Sequence, residues 1–397
     1  MATPADTSTP AVAPDNTRKR KAWLLALLLL LILAGAASWA WYSLVGRWHE
    51  STDDAYVNGN VVAITPLVTG TVTSIGADDG DLVHAGQVLL QFDPADSEVA
   101  LQAAEAKLAR TVRQVRGLYS NVDSLKAQLA TRQAELQKAR QDYNRRRILA
   151  DSGAIAAEEV SHSRDDLSVA EAAVNSARQQ LNTSTALVDD TVVSSHPEVM
   201  AAAADLRQAY LDHARTTLVA PVTGYVAKRT VQLGQRLQPG TATMAVIPLD
   251  EVWIDANFKE TQLRDMRIGQ SVQISADLYG SEVKYDGTVD SLGAGTGSAF
   301  ALLPAQNATG NWIKIVQRVP VRIHLDPEQL KAHPLRIGLS TVAEVDLHDQ
   351  SGPALAQQPP QQASYTTQVY DRQLVEADQL IARLIHDNSA TGKTAQR

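Results

Sequence analysis

A short internal repeat, present as two copies far apart in the chain, limits the possible folds more than any other feature. Shifting the sequence by 154 positions aligns residues 68–72 with residues 222–226, which read VTGTV and VTGYV. The alignment continues without a gap through the pairs Gly80/Gly234, Gly86/Gly240 and Pro94/Pro248. Val-Thr-Gly-x-Val is typical of a strand, and the glycines fall where tight turns require positive φ.

One copy of this repeat is too small to fold alone. A unit of roughly thirty residues with a few strands cannot bury both faces of its sheet. We therefore expect two half-domains, residues 51–94 and 218–249, to close on each other as one small sandwich. The segment between them must then leave the sandwich and return to it.

That intervening segment carries a heptad pattern. An apolar or aromatic residue recurs at every seventh position, at Leu101, Leu108, Val115, Val122, Leu129, Leu136 and Tyr143. The period resumes after a turn signal, at Val160, Leu167, Val174, Leu181 and Val188. The pattern predicts an antiparallel coiled-coil hairpin over residues 95–217, with its tip at about 145–157 and a break in the return limb near Pro197. A helix from about 95 to 149 is about 80 Å long.

The N-terminal region predicts a membrane anchor. Residues 1–21 have a disordered composition and end in the basic run Arg18, Lys19, Arg20 and Lys21, whereas residues 22–45 contain no charge. Aromatic residues flank the apolar run at Trp23, Trp39 and Trp41. We expect a transmembrane helix over 22–45, with the basic residues keeping residues 1–21 in the cytoplasm and the rest of the chain outside. A cleaved secretory signal ending near Ala34–Ala36 is the alternative, but the apolar run is long for one.

The remaining sequence predicts a third domain and a tail. Short alternating runs between 250 and 348 read as the strands of a compact β-barrel, and residues 349–397 read as a Pro/Gln-rich linker followed by one weakly amphipathic helix. The predicted fold class is α+β, elongated and multi-domain.

Residues with a chemical function are scarce. There is no cysteine, the nine histidines are scattered, and the glycine-rich run 293–298 lacks the Lys-Ser/Thr of a nucleotide cradle. The formal charge of −8 argues against a nucleic-acid partner. We expect no enzyme activity, cofactor or metal site.

Three segments resemble a known family. They are residues 52–57 (TDDAYV), 255–262 (DANFKETQ) and 295–312, the last beginning GTGSAF and ending NATGNW. They are similar to the membrane fusion proteins, or periplasmic adaptors, of the HlyD family, and most similar to the EmrA type. The resemblance implies a split lipoyl-like sandwich (a barrel-sandwich hybrid) and a subunit of a tripartite multidrug efflux pump in the inner membrane of a Gram-negative cell. It also implies three partners: an inner-membrane major facilitator drug transporter (EmrB-like), a TolC-like outer-membrane channel, and further copies of the chain, with six in a ring.

The resemblance also implies two partner-facing sites. Related adaptors dock on the channel through an Arg, Leu, Ser arrangement at the hairpin tip. Arg145 and Leu149 fit that spacing, whereas Ala156 stands in the serine position. The basic run 145–147 is equally explained as a solvated helix end. The transporter-facing loop of the barrel would comprise Gly295, Gly297, Phe300, Asn307 and Trp312.

Two other functions fit parts of the pattern. A biotinyl or lipoyl carrier has paired sandwich halves, but its modified Lys lies in a tight turn that is here replaced by the hairpin. An adaptor of a type I protein secretion system, working with an ATP-binding cassette exporter, has the same architecture and stays open as the alternative.

Overall fold

The computed structural model describes residues 17–44, 46–188, 191–300, 316–359, 361 and 363–389. The chain divides into two units. The barrel unit comprises residues 1–60 and 248–364, and the hairpin unit comprises residues 61–247 and 365–397.

The described elements alternate between sheet and helix along the chain. The helices are α1 (Thr17–Leu44), α2 (Ala95–Asp151), α3 (Ala157–Ala186), α4 (Pro197–Ala214), α5 (Pro327–Ala332) and α6 (Asp371–Ser389). The strands are β1 (His49–Asn58), β2 (Val62–Ile64), β3 (Gly70–Ile75), β4 (Leu82–Val83), β5 (Val88–Phe92), β6 (Thr217–Val219), β7 (Gly224–Ala227), β8 (Arg236–Leu237), β9 (Met244–Ile247), β10 (Trp253–Lys259), β11 (Ser271–Ala276), β12 (Lys284–Leu292), β13 (Arg318–Leu325) and β14 (Ser340–Asp346).

The two copies of the repeat form one sandwich, as predicted. Its sheets have the strand orders β2-β9-β7-β4 and β6-β5-β3-β8, so each sheet takes two strands from each copy. The 154-residue shift superposes the sequence of β3 on that of β7 and that of β4 on that of β8. It therefore relates one whole sheet to the other, and neither copy can form its sheet without the other.

Matching backbone contacts in the two copies support this symmetry. The Gly80 N–H donates to the Val226 carbonyl at 2.9 Å, and the Gly234 N–H donates to the Val72 carbonyl at 2.9 Å. Both glycines have positive φ, at 92° and 77° respectively. The repeated glycines therefore reflect a turn conformation that most other residues adopt only with strain.

The segment between the copies is the predicted helical hairpin. Helix α2 runs outward for 57 residues, and α3 and α4 return along it. The return limb breaks between α3 and α4, where the buried His196 caps α4. Its Nδ1 accepts from the Glu198 N–H at 3.3 Å, and its Nε2 lies 3.1 Å from the Leu187 carbonyl.

The predicted C-terminal helix, α6, packs on the part of the hairpin nearest the sandwich. Its buried residues Ala377 and Ile381 face α2 and α4. The hairpin therefore begins as three helices and continues beyond α6 as two.

The barrel contains a strand that the sequence predicts to lie in the sandwich. Its six strands close in the order β1-β10-β13-β12-β11-β14 around buried residues that include Phe258 and Tyr285. Strand β1 pairs with β10 (Ala55 opposite Ala256) and with β14 (His49 opposite Asp346). The expectation that residues 51–58 belong to the sandwich is therefore wrong, because alternation identifies a strand but not the sheet that it joins.

Helix α1 is the expected apolar helix, with an earlier start. The stretch Trp23–Trp48 is long and apolar enough to span a membrane, and no residue of its most apolar 18-residue window is buried in the described part of the chain. The helix begins at Thr17, so residues 17–21 continue it, contrary to the expected disorder there. Residues 1–16 lie outside the described residues.

Candidate functional site

The hairpin tip is a tight and well-defined turn. Helix α2 ends in a Schellman motif, in which the Ala154 N–H donates to the Leu149 carbonyl at 3.0 Å and the Gly153 N–H to the Ala150 carbonyl at 2.8 Å. Gly153 adopts φ 74°, which the motif requires at that position. The tip is thus a fixed surface on which the nearby side chains are displayed.

The sequence-predicted tip residues lie together around this turn. Arg145 is largely exposed and pairs with Asp142 on the same helix. Leu149 is 41% exposed and supplies a carbonyl to the capping motif. Ala156 is exposed and forms the N-cap of α3 without a side-chain hydrogen bond. These three positions therefore offer one guanidinium and one apolar side chain, with no hydroxyl in the third position.

Sequence reasoning missed a further residue at the tip. Ile148 is 64% exposed, more than Leu149. In the heptad that places Tyr143 at position a, Ile148 falls at f, on the side of α2 away from the seam. An apolar residue at f is the signal that could have revealed it. Ile148 and Leu149 together form an exposed apolar pair beside Arg145.

The residues of two resemblance segments hold the barrel together. Arg318 Nη1 lies 2.9 Å from Asp54 Oδ2, and Asn257 Nδ2 donates to Asp54 Oδ1 at 3.3 Å. Thr52 Oγ1 donates to the Asn257 carbonyl at 3.0 Å, and Gln262 Nε2 donates to Glu50 Oε2 at 2.7 Å. These contacts tie β1 to β10 and β13 at the point where the register of β1 shifts. The polar residues of the two segments therefore have a structural role within the barrel.

The third segment begins the barrel loop. A Cβ on Gly295 would lie 2.8 Å from Phe300 Cε2, so Gly295 makes room for the Phe300 ring, which is 74% exposed. Gly297 has open space around it, and its φ does not require glycine. Asn307 and Trp312 lie outside the described residues. Residues 295–300, the described part of the third segment, thus present one large apolar side chain, that of Phe300.

The anchor residues fall on α1. Trp23, Trp39 and Trp41 are all more than 60% exposed. Arg18, Lys19, Arg20 and Lys21 lie in the first turns of the helix, N-terminal to the apolar stretch.

One acidic pair has a structural partner. Asp78 Oδ1 accepts from Arg229 Nε at 2.6 Å, and Asp79 Oδ1 accepts from the Arg229 N–H at 2.8 Å. The hydrogen bond from Arg229 lowers the pKa of Asp78. Within the described ranges, no three His, Asp or Glu side chains lie close enough to hold a metal ion.

Comparison with known proteins identifies the family. The model of the EmrA α-helical hairpin domain matches residues 95–216, and that of the AAEA-like β-barrel domain matches residues 251–345. The multidrug export protein EmrA of Escherichia coli K12 is 45% identical over 356 residues, which cover 90% of this chain and 91% of that protein. The fatty acid resistance protein FarA of Neisseria gonorrhoeae is 47% identical over 343 residues, which cover 86% and 87%.

A solved structure of the periplasmic adaptor protein EmrA covers 76% of this chain and 99% of its own, at 19% identity and a TM-score of 0.38. The family rests instead on the domain matches and on the curated relatives, which extend over most of the chain. The chain belongs to the EmrA-type membrane fusion proteins of the HlyD family, a family of non-enzymatic adaptors with members in drug efflux.

Proposed function

We propose that this chain is the periplasmic adaptor of a tripartite multidrug efflux pump. It links an inner-membrane major facilitator transporter of the EmrB-like kind to a TolC-like outer-membrane channel, and several copies, six in a ring, form the conduit. The observation that carries the proposal is the long hairpin inserted between the two halves of one sandwich.

The hairpin gives the adaptor its reach. At 1.5 Å per residue, the 57 residues of α2 extend about 85 Å. The sandwich fixes both ends of the excursion, because β5 leads into α2 and β6 follows α4 and these two strands pair with each other. A rod held in this way can bridge distance without any chemistry of its own.

The anchor and the tip supply the two ends of the proposed link. Helix α1 crosses the inner membrane once, with the basic residues 18–21 on the cytoplasmic side. Arg145, Ile148 and Leu149 contact the channel, since a guanidinium can donate to carbonyl or carboxylate acceptors on another protein's helices while the apolar pair packs beside them. Ala156 has no polar role.

The barrel loop contacts the transporter in this proposal. Phe300 is the described side chain best suited to such a contact, because it is large, apolar and exposed.

A deletion strain tests the proposed function. In cells that retain the transporter and channel but lack redundant pumps, removing this chain should raise sensitivity to hydrophobic toxicants, and expressing it from a plasmid should restore resistance. Unchanged sensitivity, together with loss of a secreted protein from the medium, would favour the type I secretion adaptor instead.

A charge reversal tests the docking assignment separately. Arg145→Glu should reduce capture of the channel without lowering the amount of adaptor. Arg178→Glu makes the same change on the exposed surface of α3, 21 residues beyond its first residue Ala157 and so about 30 Å along the helix. It serves as the control. Equal capture by both variants would remove Arg145 from the docking site.

A further inference from the structure

We propose that α6 is an intramolecular clamp that holds the base of the hairpin closed and thereby sets the direction in which the hairpin leaves the sandwich. The base is the part of the hairpin covered by α6, namely residues 101–116 of α2 and residues 199–210 of α4. Neither the predicted anchor, the tip nor the barrel loop involves α6. Helix α6 lies in the groove between α2 and α4 of the same chain, and its contacts with both helices support the proposal.

The apolar contacts form one continuous core. Ala377 and Ile381 lie four residues apart and so occupy the same face of α6, and both are buried. Ile381 joins a core whose fully buried members come from α2 and α4: Leu108, Val112, Val115, Val199 and Leu206. The third helix closes this core on the side that two helices leave open.

The burial of Val112 is the evidence that two helices are not enough. In the heptad of α2, Leu108 is at position a, Thr111 is at d and Val112 is at e. An e position lies at the margin of a two-helix seam and is ordinarily polar and partly exposed. Val112 is nevertheless 0% exposed, whereas Thr111 at d is only half-buried. The core is therefore displaced toward the side that α6 covers.

Polar contacts fix α6 against both limbs. On α4, Arg207 donates through Nε and Nη2 to Asp378 Oδ1, at 2.9 and 2.5 Å, and the Tyr210 hydroxyl donates to Glu376 Oε2 at 2.9 Å. On α2, Arg113 Nη1 donates to Asn388 Oδ1 at 2.6 Å. Such contacts specify a register, which an apolar face alone does not.

The part of the hairpin that α6 covers ends at the break between α3 and α4. Near its start, Thr367 Oγ1 donates to the Pro221 carbonyl of the sandwich at 2.8 Å, and near its end Asn388 reaches Arg113. Just beyond lies the break in the return limb, where the Tyr119 hydroxyl donates to the Thr191 carbonyl at 2.6 Å. The clamp thus covers the hairpin from the sandwich to the break and stops there.

Amide hydrogen exchange on the full-length protein in detergent tests the clamp. Ile381→Asp places a charge in the shared core, and Ala382→Asp places the same charge on the exposed face of the same helix. We expect Ile381→Asp to speed exchange at least tenfold in residues 371–389 and in the base, with residues 129–143 unchanged. Ala382→Asp should leave all of them unchanged. Fast exchange of α6 with a base as protected as before would overturn the proposal, since α6 would then be only an appended tail.

A charge exchange distinguishes loss of the Arg207–Asp378 contact from a general loss of folding. Arg207→Asp or Asp378→Arg alone should speed exchange in the base, and the double variant should restore protection by re-forming the pair in the opposite sense. Failure of the double variant to restore any protection, with both single variants folded, would count against the Arg207–Asp378 contact as part of the clamp.

The consequence for the direction of the hairpin rests on the proposed function and is tested apart from it. In the deletion strain, Ile381→Asp protein at normal levels should fail to restore resistance, whereas Ala382→Asp protein should restore it. If Ile381→Asp opens the base but restores resistance fully, the directional role is wrong while the adaptor function stands. If wild-type protein also restores nothing, the proposed function fails and the exchange result still decides the clamp.

Discussion

The base and the distal arm of the hairpin share one heptad pattern but differ in how completely they bury it. In the base, Leu108 and Val115 are fully buried, whereas Leu129 and Leu136 in the distal arm are only partly buried at equivalent positions, although Val174 of α3 is buried there. The residue types are similar, and the third helix covers only the base.

This contrast separates two mechanical roles within one element. A fully buried core resists local opening, while a two-helix seam with partly exposed apolar residues opens at lower cost. We therefore expect the base to hold position and the distal arm to adjust to what it meets.

The sharpest test of the contrast compares the same truncation in both regions. Leu108→Ala should lower the local free energy of opening by about 3 kcal/mol, because it leaves a cavity in a filled core, and Leu136→Ala should lower it by about 1 kcal/mol at most. Native-state amide exchange measures both. Equal losses would show that the base is no better packed than the arm.

A smaller effect is expected from two glycines of the hairpin. Gly153→Ala should destabilise the tip by about 1 kcal/mol, since alanine resists positive φ. Gly117→Ala, inside α2 with open space around its Cα, should instead stabilise the helix by about 0.5–1 kcal/mol. Amide exchange around each site gives the sign, and the same sign at both would contradict the conformations described here.

The distal arm should be insensitive to the loss of a surface ion pair. Arg140 Nη2 lies 3.3 Å from Glu171 Oε1 across α2 and α3, and both side chains are at least half-exposed. Arg140→Gln should change local stability by less than about 0.5 kcal/mol, and high salt should erase the difference. A larger loss that persists in 1 M salt would mean that the arm depends on specific contacts, as the base does.

The smallest expected effect is the contribution of Tyr210 in the base to the pH dependence of stability. Burial, followed by the hydrogen bond to Glu376, raises the pKa of Tyr210 above its usual 10.0. The neutral phenol therefore contributes stability that is complete below pH 10 and is lost as the pH rises through the higher pKa of the folded state. The melting temperature of wild-type protein should fall more steeply above pH 10 than that of Tyr210→Phe. Parallel curves would exclude a contribution from this contact.

Periodic features of the sequence predicted most of the fold. The repeat predicted the sandwich because both copies carry the same turn glycines, and the heptads predicted the hairpin because seam residues recur along both limbs. The alternation of strand β1 carries no information about its partners, which lie about 200 residues away in the chain at Trp253–Ala256 and about 290 residues away at Ser340–Asp346.

The candidate site was less accessible to sequence reasoning. The family resemblance indicates Arg145 and Leu149, whereas the heptad pattern identifies only seam residues and Ile148 lies at position f, outside the seam. Helix α6 was predicted as a helix but without its partner, although apolar and aromatic residues at two successive e positions, Val112 and Tyr119, mark where a third helix packs. Which face a lone amphipathic helix covers depends on tertiary contacts that its own sequence does not encode.

The exchange of strands between the two sheets separates the length of the hairpin from the stability of the sandwich. The hairpin begins after β5 and ends before β6, and these two strands pair with each other. Adding or removing whole heptads in the distal arm therefore leaves every sandwich contact in place, provided that both limbs change together. The length of the hairpin can thus change in this architecture, and evolution can fit such a chain to a longer or shorter distance between its partners without altering the sandwich.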